Sequence, residues 1–173
     1  MEQGTFFKRM APEALPGNVF KIIGDDWMLI TAGNEHSFNT MTASWGGFGI
    51  LWHKPVSYCF VRPSRYTYEF MEKGNIYTFS FFKEKYRKAL NLLGAKSGRD
   101  GDKISEAGLT PVSVEHGAVS FKEARLVVVS KKLYQQDLNP DNFCEPEIAT
   151  HYPKKDYHRL YVGEVISVLT PSR

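Results

Sequence analysis

Between Asn39 and Thr67 the chain carries the pattern that most restricts how it can fold. Asn39-Thr40-Met41-Thr42-Ala43-Ser44-Trp45 alternates, with Met41, Ala43 and Trp45 on one face and Thr40, Thr42 and Ser44 on the other. A period of two is that of a half-buried strand. The polar face holds small hydroxyls where Lys and Glu are usual, which leaves the backbone open to a flat polar ligand and offers it donors. Gly46-Gly47 then frees the chain to turn away, and Val56 to Val61 reads as a strand running into Arg62-Pro63-Ser64-Arg65.

That run has the makings of an anion site. Pro63 restrains the turn, Ser64 is a suitable N-cap, and the helix that starts at Tyr66 stops at Gly74-Asn75. A helix N-terminus attracts anions through its free N–H groups and its dipole. Two guanidiniums add forked donors that match phosphate oxygens. The plainer reading is a capped helix start with two solvated arginines.

Together, the Asn39–Trp45 strand and Arg62-Pro63-Ser64-Arg65-Tyr66-Thr67 closely resemble the flavin reductase-like family, which binds FMN in a split β-barrel. Ser97-Gly98-Arg99-Asp100 and His158 followed by Gly163-Glu164-Val165 match further pieces, so the resemblance runs from about Pro16 to Val168. It implies a mainly β, antiparallel Greek-key split barrel with a few flanking helices. It also implies that Asn39, Thr40, Met41, Thr42, Ala43, Ser44 and Trp45 lie along the isoalloxazine and ribityl chain. Arg62, Pro63, Ser64, Arg65 and Thr67 would hold the phosphate, with Ser97, Gly98 and Arg99 closing over the flavin edge. His158 would stand near the flavin and the nicotinamide as the catalytic candidate. For His158 the plainer reading is a strand-end histidine bonded to backbone, and for Trp45 a core position in the barrel.

The length of 173 residues suits a single domain, residues 1–173, burying roughly 70% of its unfolded surface. Recurrent Gly and Pro beside 12 Phe and 9 Tyr lean towards β structure. A net charge of +3 without a clustered basic face argues against nucleic-acid binding. The longest aliphatic run, Leu126 to Val129, is too short to span a membrane, and no apolar leader follows Met1. Cys59 and Cys144 make no disulfide framework and no metal spacing, and His151 and His158 are too loosely placed for a metal site. A reducing cytoplasm follows from that cysteine usage.

Strands are predicted at Val19–Ile23, Trp27–Ala32, Phe38–Ser44, Val56–Val61, Ile76–Phe82, Val112–Val114, Val119–Phe121, Ala124–Tyr134 and Tyr157–Leu169, and a helix at Lys85–Ala95. Residues 135–156 read as a long polar loop, a length that in a compact fold usually carries function. Leu126–Val129 and much of Leu160–Leu169 are apolar on both faces, so one face fills a barrel and the other needs a helix or a second subunit over it. A barrel this small fills with its own side chains. A flavin would therefore lie outside it, in a groove walled by a partner chain, and a homodimer is also what the resemblance implies.

Three functions remain at this point. The first is an FMN oxidoreductase in which NADH or NADPH reduces the flavin, and electrons pass to free flavin, a ferric chelate or another small-molecule or protein acceptor. The second is a non-enzymatic, flavoredoxin-like electron carrier with a protein partner. The third is a cofactor-free interaction module, which leaves the arginines and the hydroxyl face unexplained.

Overall fold

The structure is a computed structural model and describes residues 6–172. The expectation about the segment after Met1 concerns residues outside that range. Within it, eight strands form one antiparallel sheet that curls into a split barrel. These are β1 (Phe7–Met10), β2 (Met28–Asn34), β3 (Ser37–Ala43), β4 (Gly46–Leu51), β5 (Lys54–Val61), β6 (Ile76–Phe81), β9 (Leu126–Asp137) and β10 (Arg159–Pro171). Their order is β3-β2-β6-β9-β10-β5-β4, with β1 added to β10. Outside the barrel lie helices α1 (Tyr66–Lys73), α2 (Arg87–Ala95) and α3 (Lys103–Glu106), and a small ribbon of β7 (Pro111–Ser113) and β8 (Val119–Phe121).

Alternation along the central strands builds two cores. Ile30, Phe79, Phe81, Leu126 and Val128 point inward and join Tyr77, Tyr161 and Val168 in the barrel interior. Leu29, Val127 and Val129 point outward and pack with Leu90 and Leu93 of α2 and with Phe121 of β8. A buried side chain of this size contributes about 1.5–3 kcal/mol. The second face of Leu126–Val129 is thus covered by the chain's own α2 and β7–β8 layer. A partner subunit is not needed there. The ribbon is pinned by Thr78 Oγ1, which donates to the Val119 carbonyl at 2.7 Å, and by Ser80 and Ser120 hydroxyls 2.8 Å apart.

The split has its origin in β10. Its first half, Arg159–Glu164, pairs with β5 on one side, and its last residues, Val168–Pro171, pair with β1 on that side instead. Along β9, register shifts fall between Val162 and Gly163 and between Val165 and Ser167. Such irregularities bend a strand and raise its twist, which lets one strand serve two partners in turn.

Several expectations change. Val19–Ile23 is not a strand: Lys21–Asp25 forms a wide helical turn, opened by Asn18 Oδ1 accepting from Phe20 N–H at 2.9 Å. Ile22 and Ile23 are both buried, which two successive strand residues on a one-sided sheet would not achieve. Ahead of the first predicted strand, Phe7–Met10 forms β1 and pairs with the end of β10. β9 runs on to Asp137 because Gln135, Gln136 and Asp137 still pair with Tyr161, Leu160 and Arg159, so the loop begins later than expected. Glu164 is partnered by Lys54 at 2.7 Å.

Gly163 tests this packing. A Cβ there would lie 2.3 Å from the Tyr77 hydroxyl, which is buried and 3.1 Å from Ser57 Oγ. Gly163→Ala should cost about 1–3 kcal/mol through overpacking, read as a lower urea midpoint. Adding Tyr77→Phe should recover part of the loss. An unchanged midpoint in the single variant would show that the bend has room to spare.

Candidate functional site

The end of β5 and the start of β10 lie side by side, with Val61 opposite Arg159, so Arg62 and His158 meet at the same edge of the barrel. β3 ends nearby, and between them opens a cavity of about 420 Å³. Met41, Thr42, Ala43, Ser44, Trp45, Arg62, Ser64, Arg65 and His158 all line it, as do Phe60 and Asp156. A smaller pocket of about 80 Å³ adjoins, sharing Met41, Ser64 and Arg65 with the first. Asn39, Thr67, Ser97 and Gly98 line this pocket, together with Lys103. Most of the residues singled out in the sequence, though not Thr40, therefore gather around two adjoining spaces, one large and open, the other small.

The hydroxyl face of β3 is already engaged. Thr40 is fully buried, its Oγ1 2.9 Å from that of Thr31 and 3.2 Å from the Ile30 carbonyl. Thr42 Oγ1 donates to the Leu90 carbonyl of α2 at 2.5 Å. Those two hydroxyls are spent within the chain, and Ala43, Ser44 and Trp45 line the cavity beside Thr42. Trp45 is not a core residue. It is 42% exposed at the cavity mouth, its ring 5.0 Å from that of His158 and 5.5 Å from that of His151.

The two arginines differ in surroundings. Arg62 Nη1 donates to Asp156 Oδ1 at 2.7 Å and Nη2 to the His151 carbonyl at 2.8 Å, and the guanidinium lies 5.0 Å from the Tyr152 ring centre. Asp156 is held below the usual carboxylate range, first by that bond from Arg62. Arg65 is half-buried at the junction of the two spaces, and its guanidinium has no hydrogen-bond or carboxylate partner among the described residues. Burial, and then the nearby Arg62 charge, lower its pKa, so an anion beside it would be favoured.

Ser64 is not the N-cap of α1. Arg65 takes that position in extended conformation without a side-chain cap, and Ser64 Oγ turns to Asp156 Oδ2 at 3.5 Å. The N–H groups of Tyr66 and Thr67, in the first helical turn, have no intrahelical acceptor, and both residues line the small pocket. Pro63 and Arg99 line neither space. Arg99 lies 4.7 Å over the Tyr66 ring and reaches Glu69 at 2.5 Å. Gly98 passes so close to Asn39 that a Cβ would fall 2.1 Å from its Oδ1, while Asn39 Nδ2 donates to Thr67 Oγ1 at 2.8 Å.

Lys103 was not foreseen. It is buried, and its ammonium donates to the Leu93 and Lys96 carbonyls at 3.1 and 3.0 Å, closing the C-terminal end of α2. Burial, then Arg65, push its pKa down to about 8. Three donors with two spent leave one N–H without a partner among the described residues. Nothing in the sequence around Lys103 distinguishes it from a surface lysine. Asp156, Tyr152 and Phe60 were also missed as site residues, although the long polar loop carrying the first two was marked as one that usually has a task.

His158 is buried, with Nδ1 2.9 Å from the Tyr152 hydroxyl. Burial first, and then Arg62, push its pKa down to about 4, so the imidazole is neutral near pH 7. Chemically, the site combines a neutral histidine, an indole, exposed strand backbone and an unpaired guanidinium beside a small polar pocket. A flat, polar ring system with an anionic tail matches that donor set and that division of space. No group of three or more His, Cys, Asp or Glu among the described residues could hold a metal ion, and no helix among them is long and apolar enough to cross a membrane.

Comparison with known proteins agrees with the fold. An FMN-binding domain of a flavin reductases-like enzyme from Shewanella baltica superposes with a TM-score of 0.69 at 16% identity, over 95% of this chain and 77% of that one. The flavoredoxin of Desulfovibrio vulgaris gives 0.67 at 21% identity, over 94% and 78%. An NADH:FAD oxidoreductase of Streptomyces globisporus, solved with NAD and FAD fragments, gives 0.62 at 16%, over 84% and 74%. A search of curated proteins finds no match. The sequence model of the flavin reductase like domain matches residues 23–173, from the helical turn after Asn18 to the end of the chain, and the chain belongs to the flavin reductase-like family.

Proposed function

We propose that this chain, acting as one flavin-binding domain, is an FMN-dependent oxidoreductase that takes hydride from NADH or NADPH and passes electrons to a flavin, ferric or protein acceptor. The observation that carries the reading is the unpaired Arg65 guanidinium at the junction of a ring-sized cavity and a phosphate-sized pocket. In this reading the flavin, when bound, supplies the redox chemistry, and the chain supplies positioning and electrostatics. Arg65, the first N–H groups of α1, Ser97 and the spare Lys103 donor hold the phosphate. The strand backbone from Thr42 to Ser44 lies along the ring, with Trp45 and His158 on its open side. Arg62 acts indirectly, by holding Asp156 and the His151 carbonyl. The likeness to a flavoredoxin, alongside that to an oxidoreductase, keeps a second reading: a carrier that exchanges electrons with a protein and has no nicotinamide substrate.

Purified protein, assayed for NADH and NADPH oxidation with and without added free flavin, separates the two. Turnover of either nucleotide supports the reductase. Absence of turnover, with reversible chemical reduction of bound FMN, supports the carrier.

FMN should bind far better than riboflavin, and Arg65→Ala should remove most of that difference. A hydrogen bond to a charged group contributes about 1.5–3 kcal/mol, so FMN affinity should fall roughly tenfold or more, while riboflavin affinity barely changes. Equal losses for both ligands would take Arg65 out of the phosphate site.

The same reading includes a cytoplasmic homodimer with the flavin near its interface. Support comes from exposed apolar side chains on the outer surface: Ile50 at 71%, Trp52 at 55% and Tyr134 at 43%, the last two with rings 6.4 Å apart. Sedimentation at micromolar concentration should give twice the 19.7 kDa chain mass. A monomer that binds FMN tightly would contradict it.

A further inference from the structure

The long loop between β9 and β10 folds back on the cavity through an aromatic cluster. Phe143 stacks on Tyr152 at 5.8 Å, and Tyr157 contacts both, at 5.9 and 5.1 Å. The cluster holds Tyr152 against His158, with ring centres 5.5 Å apart and the hydroxyl 2.9 Å from Nδ1. The loop is tied down again by Asp156 on Arg62 and by Arg62 on the His151 carbonyl.

The direction of the Tyr152–His158 bond follows from bookkeeping of donors and acceptors. The Tyr152 hydroxyl has no acceptor among the described residues other than His158 Nδ1. An O–H this deeply buried donates where it can, so Nδ1 is the acceptor and the proton of the neutral ring sits on Nε2. Among the described residues Nε2 has no protein partner and no buried side-chain nitrogen or oxygen lacks one, so Nε2 keeps access to the cavity that His158 lines.

We propose that Tyr152 is a positioning residue for His158, whose ring it holds as the Nε2–H tautomer so that a neutral N–H donor faces the cavity. The loop, whose length already points to a function, thereby acquires a specific role in the site. His158 then works as a hydrogen-bond donor to whatever occupies the cavity, and not as an acid that gives up a charge-bearing proton. Its surroundings favour the neutral form. Arg62 just after β5 and Arg65 from the turn before α1 face it with positive charge, opposed by Asp156 of the loop; burial outweighs that carboxylate. His151 reaches the same region over Trp45.

The tautomer can be tested without any cofactor, and only the kinetic arm rests on the flavin reading. Long-range ¹H–¹⁵N correlation spectra of the full chain should show His158 as Nε2–H alone, with Nδ1 carrying the signature of a hydrogen-bond acceptor, and unprotonated through pH 5.5. Tyr152→Phe keeps the ring packing and removes only the hydroxyl. In that variant Nδ1 should return to the position of an unbonded nitrogen, and the Nδ1–H tautomer should become visible. A wild-type spectrum with the proton on Nδ1, or nitrogen shifts unaltered by Tyr152→Phe, would overturn the proposal. In FMN-loaded protein, the variant should be reduced by NAD(P)H about tenfold or more slowly at saturation, the scale of a positioned group, with FMN affinity and dithionite reduction unchanged. An unaltered rate with an altered tautomer would overturn the catalytic consequence. Failure of the protein to bind FMN would remove the flavin reading and leave the spectra to decide the tautomer.

Discussion

Strand β10 must serve more partners than a strand has edges. It pairs with β9 along most of its length, and on its other side with β5 and then with β1. Bulges against β9 and the absence of a Cβ at Gly163 let it bend from one to the other. The barrel is split for that reason. The same pairing sets the site: because Arg159 lies opposite Val61, the residues just outside the ladder, His158 and Arg62, come together at one edge. The register that closes the core therefore also decides which side chains share the cavity.

A second interaction divides the labour among the charges there. Asp156 neutralises Arg62 at 2.7 Å, while the neighbouring Arg65 guanidinium has no partner among the described residues. A buried or half-buried guanidinium with no acceptor carries a desolvation cost that an anionic ligand would offset. Arg62 in turn anchors the loop that carries Tyr152. One ion pair thus supports both proposed features of the site, the phosphate position at Arg65 and the orientation of His158.

Much of this was legible in local patterns. The alternation of Asn39–Trp45 and the arginine turn before α1 are short-range signals that mark β3 and the end of β5, whereas the chain turns at Ser44-Trp45 and Gly46-Gly47 already pair within β4. Leu126–Val129 was read correctly as apolar on both faces, yet periodicity could not say that α2 and β8 cover the outer face. Val19–Ile23, four apolar residues around Lys21, fits a strand as well as a helical turn, and the Asn18 cap decides for the turn. The pairing of Arg62 with Asp156 spans 94 positions, and that of Tyr152 with His158 depends on how a proline-rich loop packs. Hydroxyls that looked free on β3 were taken by Thr31 and by α2, and Lys103 was drawn inward by the open end of a helix. Each of these depends on tertiary neighbours that composition and spacing do not encode.

Arg65 stands at the meeting of two spaces, and a crystal structure of the FMN complex shows whether it holds the phosphate. The expected result has the phosphate oxygens on the Arg65 guanidinium and the adjoining α1 N–H groups, with Arg62 still paired to Asp156 and the flavin ring against the Thr42–Ser44 backbone. A phosphate held by Arg62 with Asp156 displaced, or a flavin seated away from Arg65 altogether, would contradict it.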